Sequence, residues 1–396
     1  MTRRGDLIRG IGGAALALVL AACGAGAPAT PASSPVAAPS STAAATASAK
    51  PAVSAASSAS PSAVAPCAAA SPYTPVALTP PVKVKLGSFG FVAEAGIFSA
   101  IDRGYFSAEG LDVELVQLTG GTDVVAPIVT NQLQLAAPSP DPGLFNASAR
   151  DITVKIVGYE AVAFEGSVSA GFVVRQDLLD SGRYKEPKDL KGLTVGQAGT
   201  PGGQSDVLLE RWAAKGGLTP DDVTRTPVPF PQMPGALTNK AIDAAMTIEP
   251  FITAMEAQGI AKLVAPWGQL FPGMPGGILV MSPDFARDQP EAAKRFMAAW
   301  LRGQRDFWHA FVKKDVPPDE MYETIANHTP FKEPGQIGPS TTFLVDPNGE
   351  MPLTGLSEEV DAFVRFGSVK QKPNLGQIVD PSFARAAVGL IGRVCN

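Results

Sequence analysis

Two glycine-rich turns in this chain of 396 residues stand where backbone N–H groups could bind a small ligand. Gly121-Thr122-Asp123 precedes one predicted helix, and Gly202-Gly203-Gln204 precedes another. The first N–H groups of a helix lack partners within the helix and carry the positive end of its dipole. Because glycine lets a ligand approach the backbone closely, both turns could bind a carboxylate, a sulfonate or a carbonyl oxygen. Ordinary capping by Thr122 and Ser205 is the alternative.

Aromatic and polar residues in other predicted loops complete a set of candidate ligand contacts. Pockets for small molecules are mostly apolar and carry a few placed polar groups. Phe89 and Phe91 have the strongest claim among the aromatic residues, because they directly follow the first predicted strand. Phe164 and Trp267 are weaker candidates, and packing would explain each ring equally well. The predicted ligand contacts are Phe89, Phe91, Thr122, Ser139, Asp141, Thr200, Gly202, Gly203, Glu249 and Phe251.

The charged residues of these loops are acidic. Asp141, Glu165 and Glu249 lie in them, whereas no arginine or lysine does. Nitrate and sulfonates usually attract a guanidinium or an ammonium group. The acidic bias therefore favours a ligand with N–H donors, such as an aminopyrimidine or an amine. Glu249 is the best single candidate for a hydrogen bond to that ligand, and a hydrated carboxylate at the end of a strand is its alternative.

The candidate loops follow strands in a chain where predicted strands and helices alternate. Such alternation is typical of parallel sheets covered by helices on both faces, where ligands bind outside the carboxyl ends of the strands. The C-terminal part is mainly helical. A run of bulky residues at spacings of three or four predicts one long helix whose face packs in the core rather than against a ligand. These residues are Phe296, Trp300, Gln304, Phe307 and Phe311.

The N-terminus resembles an exported lipoprotein. A basic stretch with three arginines precedes an apolar run over residues 11–22, which is too short to span a bilayer as a mature helix. Leu20-Ala21-Ala22-Cys23-Gly24 is similar to a bacterial lipobox. This resemblance implies removal of residues 1–22, a diacylglycerol on the Cys23 sulfur and an acylated new N-terminus. An ordinary secretory signal is the alternative.

The composition of residues 23–80, rich in Ala, Ser and Pro, predicts a disordered linker. The part of this linker between Cys23 and Cys67 should span about 35–40 Å. The chain has three cysteines. If Cys23 carries lipid, Cys67 and Cys395 remain, and export permits disulfides. We predict a Cys67–Cys395 disulfide that holds the two ends of the folded part together, and two free thiols are the alternative.

Several short segments in a fixed order resemble one family. They are Gly104-Tyr105-Phe106, Glu109-Gly110-Leu111, Gly120-Gly121-Thr122-Asp123, Asp189-Leu190-Lys191-Gly192, Ile242-Asp243-Ala244 and Glu249-Pro250. Their order and spacing over about residues 83–300 are similar to those of periplasmic binding proteins for nitrate, sulfonates, taurine and thiamine precursors. One mild departure is Asn239-Lys240, which stands where the family usually has glycine.

The resemblance implies an α/β fold of the periplasmic-binding-protein type: two parallel-sheet lobes with a hinge and a ligand cleft, followed by a helical C-terminal region. We predict a signal peptide over residues 1–22, the linker over 23–80, lobe 1 over 81–175 and lobe 2 over 176–272. Residues 273–396 should complete lobe 1 and add the C-terminal helices. The hinge strands should lie near residues 173–178 and 270–280.

The resemblance also implies a function. We expect a monomeric solute-binding lipoprotein of an ABC importer, anchored by lipid at the outer face of the cytoplasmic membrane, which delivers a small molecule to permease and ATPase subunits. We expect no cofactor and no metal. Residues 199–205 lack the Gly-Lys-Ser/Thr of a nucleotide-binding loop. The formal charge of −5 and the absence of a basic stripe argue against nucleic acid.

Two other functions stay open. One is a binding protein that senses a ligand and signals through a membrane receptor. The other is an enzyme, because the same fold family includes a pyrimidine synthase that uses a cysteine cluster, a histidine and a pyridoxal cofactor. Here the two histidines, His309 and His328, both fall in the helical C-terminal part. We therefore do not expect an enzyme.

Overall fold

The computed structural model describes residues 73–118, 124–148 and 154–395. The predicted signal peptide, Cys23, Cys67, Thr122 and most of the linker lie outside the described residues. The Cys67–Cys395 disulfide therefore stays a prediction. Within the described ranges, no helix combines the length and the apolar character needed to cross a membrane.

The strands of the described residues are β1 (Val82–Ser88), β2 (Leu111–Gln117), β3 (Leu135–Ala136), β4 (Lys155–Val162), β5 (Ala170–Arg175), β6 (Thr194–Gln197), β7 (Thr224–Pro227), β8 (Ala244–Ile248), β9 (Ala261–Pro266) and β10 (Pro275–Met281). They form two five-stranded sheets, with the orders β2-β1-β3-β10-β4 and β7-β6-β8-β5-β9. Their sequences fit their places. Lys83 and Lys85 of β1 are exposed while Val84 and Leu86 are buried, whereas β5 is apolar and buried along almost its whole length.

The helices of the first half are α1 (Ala95–Asp102), α2 (Tyr105–Ala108), α3 (Val125–Val129), α4 (Pro142–Ser148), α5 (Gln176–Asp180), α6 (Gln204–Lys215), α7 (Met233–Thr238), α8 (Phe251–Ala257) and α9 (Trp267–Leu270). The helices of the second half are α10 (Pro283–Asp288), α11 (Pro290–Phe307), α12 (Asp319–His328), α13 (Pro334–Ser340), α14 (Leu353–Arg365), α15 (Leu375–Ile378) and α16 (Ser382–Ile391). One π-helical segment, Trp308–Lys313, continues α11.

Both sheets are mixed, which corrects the expectation of purely parallel sheets. In the first sheet β10 runs antiparallel to β3 and β4, and in the second β5 runs antiparallel to β8 and β9. Each of these strands receives the chain directly from the other sheet. It therefore starts at the edge where the two strands beside it end, and it must run in the opposite direction to them.

The chain changes sheets in two crossing segments, residues 163–169 and 267–274. They are bonded to each other, because the Gly273 amide donates to the Ala163 carbonyl at 2.8 Å and the Ala163 amide donates to the Met274 carbonyl at 2.9 Å. The lobe boundary and hinge strand predicted near residue 175 are therefore too late, since β5 already pairs within the second sheet. An apolar run such as residues 171–174 fits either sheet, and only its long-range pairing assigns it.

The predicted long C-terminal helix is α11, and its bulky face lies in the core. Phe296, Trp300, Gln304 and Phe307 are all buried, and Phe311, which lies beyond the end of α11 in the π-helical segment, is partly buried and packs against the core, so the periodic residues serve packing. The helix approaches α1 at a pair of glycines. A Cβ added at Gly303 would collide with the carbonyl oxygen of Gly96, and backbone cannot swing aside as a side chain can.

We therefore expect Gly303→Ala to lower the free energy of unfolding by about 1–3 kcal/mol, because α11 and α1 must move apart. Gly389→Ala in α16 is the matched control. An added Cβ there meets no atom within 4 Å, and alanine favours a helix more than glycine does. Urea unfolding of both variants measures the effect. Equal stability of the two variants would contradict this account of the helix contact.

Candidate ligand-binding cleft

The carboxyl ends of parallel strands lie at one edge of each sheet. In the first sheet β1, β3 and β4 end at this edge, and in the second β6, β8 and β9 do. The crossing segments run between the two edges. The loops that follow these strands therefore face the boundary between the lobes, as the parallel-sheet rule predicts for a ligand site.

One hydrogen bond joins the two edges directly. The Thr200 hydroxyl, in the loop after β6, donates to Asp141 Oδ2 at 2.6 Å, and Asp141 lies in the loop after β3. The other carboxylate oxygen of Asp141 accepts from the Gly143 amide at 2.7 Å. Nearby, Ser139 donates to the Gly276 carbonyl of β10 at 2.9 Å. The structure thus places three of the predicted contacts, Ser139, Asp141 and Thr200, around the junction of the lobes.

The glycine turn before α6 is bonded to groups of its own chain. Gly202 has a φ of +73°, a value that favours glycine. Its amide donates to Asp206 Oδ2 at 2.6 Å, and its carbonyl accepts from the Ser368 hydroxyl at 2.7 Å. The Gly203 amide donates to the Thr200 carbonyl at 2.9 Å. The two amides predicted to bind a ligand therefore already have partners within the chain.

The loop after β1 is organised by a buried carboxyl group that the sequence did not single out. Glu94 Oε1 accepts from the amides of Phe89 and Phe91, at 2.9 and 3.1 Å, and the Ser88 hydroxyl donates to Oε2. The two phenyl rings stack with centroids 5.9 Å apart. Glu94 is only 1% exposed. Burial outweighs these hydrogen bonds and raises the pKa of Glu94 to about 7.

A second buried carboxyl group, Glu160, lies near the end of β4. It is 1% exposed, and its Oε1 atom has no hydrogen-bond partner among the described residues. A Cβ added at Gly277 of β10 would lie 3.2 Å from its Oε2. Burial, and after it the nearby charge of Glu94, raises the pKa of Glu160 well above its usual range. An acid inside a strand is ordinarily solvated, so nothing in the sequence distinguishes Glu160 from a surface residue.

Glu249 and Phe251 have roles within the second lobe. The Thr253 amide donates to Glu249 Oε2 at 3.0 Å and its hydroxyl donates to Oε1 at 2.9 Å, so the carboxylate caps the start of α8. Burial raises the pKa of Glu249. Phe251 packs against the small apolar cluster of this lobe. Both oxygens of the best single candidate are therefore engaged at a helix terminus.

Three further polar atoms lie buried at the ends of the second sheet's strands. Gln197 Nε2 ends β6, Thr247 Oγ1 lies near the end of β8, and Trp267 Nε1 follows β9. None has a hydrogen-bond partner in the described part of the chain. Buried polar atoms are ordinarily paired, so unpaired donors and acceptors gathered at strand ends are typical of a ligand site. Of these three residues, the sequence pointed only to Trp267, as an aromatic ring that could contact a ligand.

The NMT1-like family model matches residues 77–315, more than half of the chain. The chain belongs to the NMT1-like family. This NMT1-like protein is 26% identical over 240 residues to the nitrate/nitrite binding protein NrtA of Nostoc sp., covering 56% of this chain and 53% of that protein. It is 32% identical over 120 residues to the formylaminopyrimidine-binding protein of Halalkalibacterium halodurans, covering 30% and 34% of the two chains. The NMT1-like protein thus spans about half the length of these curated relatives or less.

Solved structures share the fold of this NMT1-like protein. The periplasmic nitrate-binding protein NrtA of Synechocystis superposes with a TM-score of 0.63 at 18% identity, covering 79% of this chain and 89% of that one. The alkanesulfonate-binding protein SsuA of Xanthomonas axonopodis pv. citri gives 0.59 at 16% identity, covering 76% and 98%. The predicted periplasmic-binding-protein-like fold, with its helical C-terminal region, is confirmed. The desulfurization enzyme DSZB gives 0.57 at 15% identity, so this fold also hosts an enzyme.

Proposed function

We propose that this NMT1-like protein is an extracytoplasmic solute-binding lipoprotein of an ABC importer. The observation that carries the proposal is the meeting of the strand-end loops of two sheets, through Asp141 and Thr200, in a family whose relatives are named for the solutes they bind. The ligand lies between the lobes. Lipid on Cys23 holds the monomer at the outer face of the cytoplasmic membrane, and permease and ATPase subunits receive the ligand.

The polar groups of the cleft favour a nitrogenous ligand over an anion. Gln204, the first residue of α6, donates to the Pro275 carbonyl at 2.9 Å and to Glu359 Oε1 at 3.0 Å, and Glu359 is fully buried. Asp141 and Asp206 bond to the same turn. Burial raises the pKa of Glu359 well above its usual range, and Asp206 is paired with Arg225, so Asp141 is the carboxylate here that would repel a nitrate or a sulfonate. An amine or a nitrogen heterocycle would instead find acceptors.

Hinge closure provides the mechanism. A ligand held by both lobes favours the closed state through its higher affinity for that state, and the paired crossing segments are where the lobes turn. The Thr200–Asp141 bond closes the same gap without a ligand. Together with the bond from Gln204 to the Pro275 carbonyl, it therefore favours the closed state of the free protein.

We expect Thr200→Val to open the free protein and to weaken ligand binding by about two- to tenfold, because one interlobe bond contributes about 0.5–1.5 kcal/mol. Small-angle scattering should show a larger radius of gyration for the free variant. Thr238→Val is the matched control, since Thr238 is exposed and its hydroxyl donates to the Pro234 carbonyl within α7. An unchanged radius of gyration of the free Thr200→Val protein would contradict the idea that the Thr200–Asp141 bond helps to close the lobes.

The proposed function is tested by a thermal-shift screen of amines, nitrogen heterocycles, sulfonates and inorganic anions, followed by calorimetry of each compound that stabilises the protein. We expect one-to-one binding and compaction in solution scattering on saturation. Stabilisation by no compound, or binding without compaction, would count against the proposal. Neighbouring genes for a permease and an ATPase would separate uptake from sensing.

The positions of the two histidines give little support to the alternative that the protein is an enzyme. His309 bonds to Asp315 and His328 bonds to Asp102, each at 2.7 Å, and both lie in or next to the C-terminal helices. Neither pair belongs to the strand-end loops of the cleft. Turnover of a compound that binds would be needed to revive this alternative.

A further inference from the structure

Glu94 and Glu160 form a buried acidic pair at the cleft edge of the first sheet. Glu94 lies in the turn Val92–Glu94, which packs on β4, and its charge acts on Glu160. The two side chains differ in one respect. Glu94 is saturated by Ser88 and by the amides of the β1 loop, whereas Glu160 keeps a buried oxygen, Oε1, that no described residue bonds.

A purely structural role does not account for Glu160. Burying a carboxyl group without a partner costs stability, and an apolar residue would fill the same strand position at no such cost. For Glu94, the hydrogen bonds that it accepts from the amides of Phe89 and Phe91 offset part of the cost of burial and hold the loop after β1 in place. No described residue bonds Oε1 of Glu160, which leaves this buried oxygen open to a group from outside the protein chain.

The surroundings of the pair indicate the chemistry of that group. Among the described residues, Glu94 is the charged group that acts on Glu160, and the adjoining strand brings the side-chain-free Gly277. The acids Asp346 and Glu350 act instead on the phenol of Tyr159. The aromatic residues Phe89 and Phe91 adjoin Glu94, whose Oε1 accepts from both of their amides. Carboxyl groups beside aromatic rings, with no cation to neutralise them, suit an organic cation.

We propose that Glu160 is the specificity-determining residue of the cleft, and that an amine or amidinium ligand binds its Oε1 and displaces one proton from the Glu94–Glu160 pair to solvent. The proposal rests on the proposed solute-binding function. The protonated pair and the ligand cation give the ion-paired complex plus one released H⁺, so charge and protons balance. An anion finds no such partner, which distinguishes this protein's cleft from one built for nitrate or sulfonates.

The release of a proton on binding determines whether the affinity rises or falls with pH. Because the cation binds the ionised carboxylate, raising the pH removes the proton that binding must otherwise displace. The affinity should therefore rise with pH, by up to about tenfold per pH unit over the range where the pair titrates. A neutral ligand that merely accepts or donates a hydrogen bond would show little of this dependence.

Calorimetry with benzamidine and phenethylamine tests the proposal, in phosphate and in Tris, whose ionisation enthalpies differ. We expect the apparent binding enthalpy to differ between the buffers by the amount for about one proton. Glu160→Gln keeps the shape of the side chain but cannot ionise, and it should bind at least about tenfold more weakly with less proton release. Glu323→Gln changes an exposed residue of α12, and this control should match the wild type.

Each other outcome overturns the proposal in a different way. Equal enthalpies in both buffers, or an unchanged affinity in a Glu160→Gln protein whose circular dichroism is native, would remove Glu160 from recognition. Binding of methanesulfonate or nitrate but of neither cation would overturn the cation assignment and leave solute binding intact. Failure of every compound in the thermal-shift screen would overturn this inference together with the proposed function.

Discussion

The protein should lose about 3 kcal/mol of stability between pH 4.5 and pH 8 through Glu94 alone. Burial raises the pKa of Glu94 from 4.5 to about 7 in the folded chain, and each unit corresponds to about 1.4 kcal/mol. The folded state holds a proton that the unfolded state gives up. The stabilisation is therefore complete below the unfolded pKa and is lost as the pH rises through about 7.

Two other buried acids extend this loss to higher pH. Burial raises the pKa of both Glu160 and Glu359 well above the usual range. Urea unfolding at half-unit pH steps measures the profile, and the difference between wild type and Glu94→Gln isolates one group. Glu323→Gln should follow the wild type throughout. A difference that stays constant with pH would mean that the hydrogen bonds from Ser88, Phe89 and Phe91 keep Glu94 ionised.

Arg295→Ala should cost about 3–5 kcal/mol, because it strands a buried carboxylate. Glu109 is fully buried, and its Oε2 accepts from Arg295 at 3.3 Å and from the Tyr73 hydroxyl at 2.9 Å. Arg295 also donates to the Val76 carbonyl. These bonds fasten residues 73–78 to α11, so the variant should also release the segment that leads back to the predicted tether.

Chemical denaturation measures the loss, and limited proteolysis reports the release of residues 73–78. Arg287→Ala is the matched control. Its guanidinium bonds Asp284 and Asp288 on the surface, where such pairs contribute about 1 kcal/mol or less. If the two arginine variants were equally stable, the buried ion pair would not hold this segment in place.

Local patterns were enough to predict the class of fold. The alternation of strands and helices, the glycine turn before α6 and the spacing of Phe296, Trp300 and Phe307 are properties of neighbouring residues, and each appears in the structure where it was expected. The direction of β5 and β10, by contrast, cannot be predicted from neighbouring residues. It follows from which distant strands they pair with, so the sequence misplaced the first lobe boundary and predicted parallel sheets.

In the candidate site, too, some features could be predicted from the sequence and others were missed. Ser139, Asp141 and Thr200 lie at the junction of the lobes because each follows a strand, and their contact with a ligand stays a prediction. Local pairing was overlooked elsewhere: an acid four residues after Gly202 caps that turn, and a threonine four residues after Glu249 occupies its carboxylate. Both signals were present in the sequence.

Glu94 and Glu160 carried no such local signal. One lies at the start of a predicted helix and the other in a strand, positions where acids are usually hydrated. Their burial comes from the packing of the turn before α1 against β4, which brings together residues 66 positions apart by number (160 − 94). Only tertiary structure could identify them.

Native mass spectrometry tests most directly the claim that a small molecule binds between the two lobes. The protein is incubated with a small-molecule extract, desalted under non-denaturing conditions and weighed. We predict a single one-to-one adduct that is depleted in Glu160→Gln and in Thr200→Val and retained in the exposed control Glu323→Gln. An adduct retained equally by all three variants, or none in the wild type, would contradict the account.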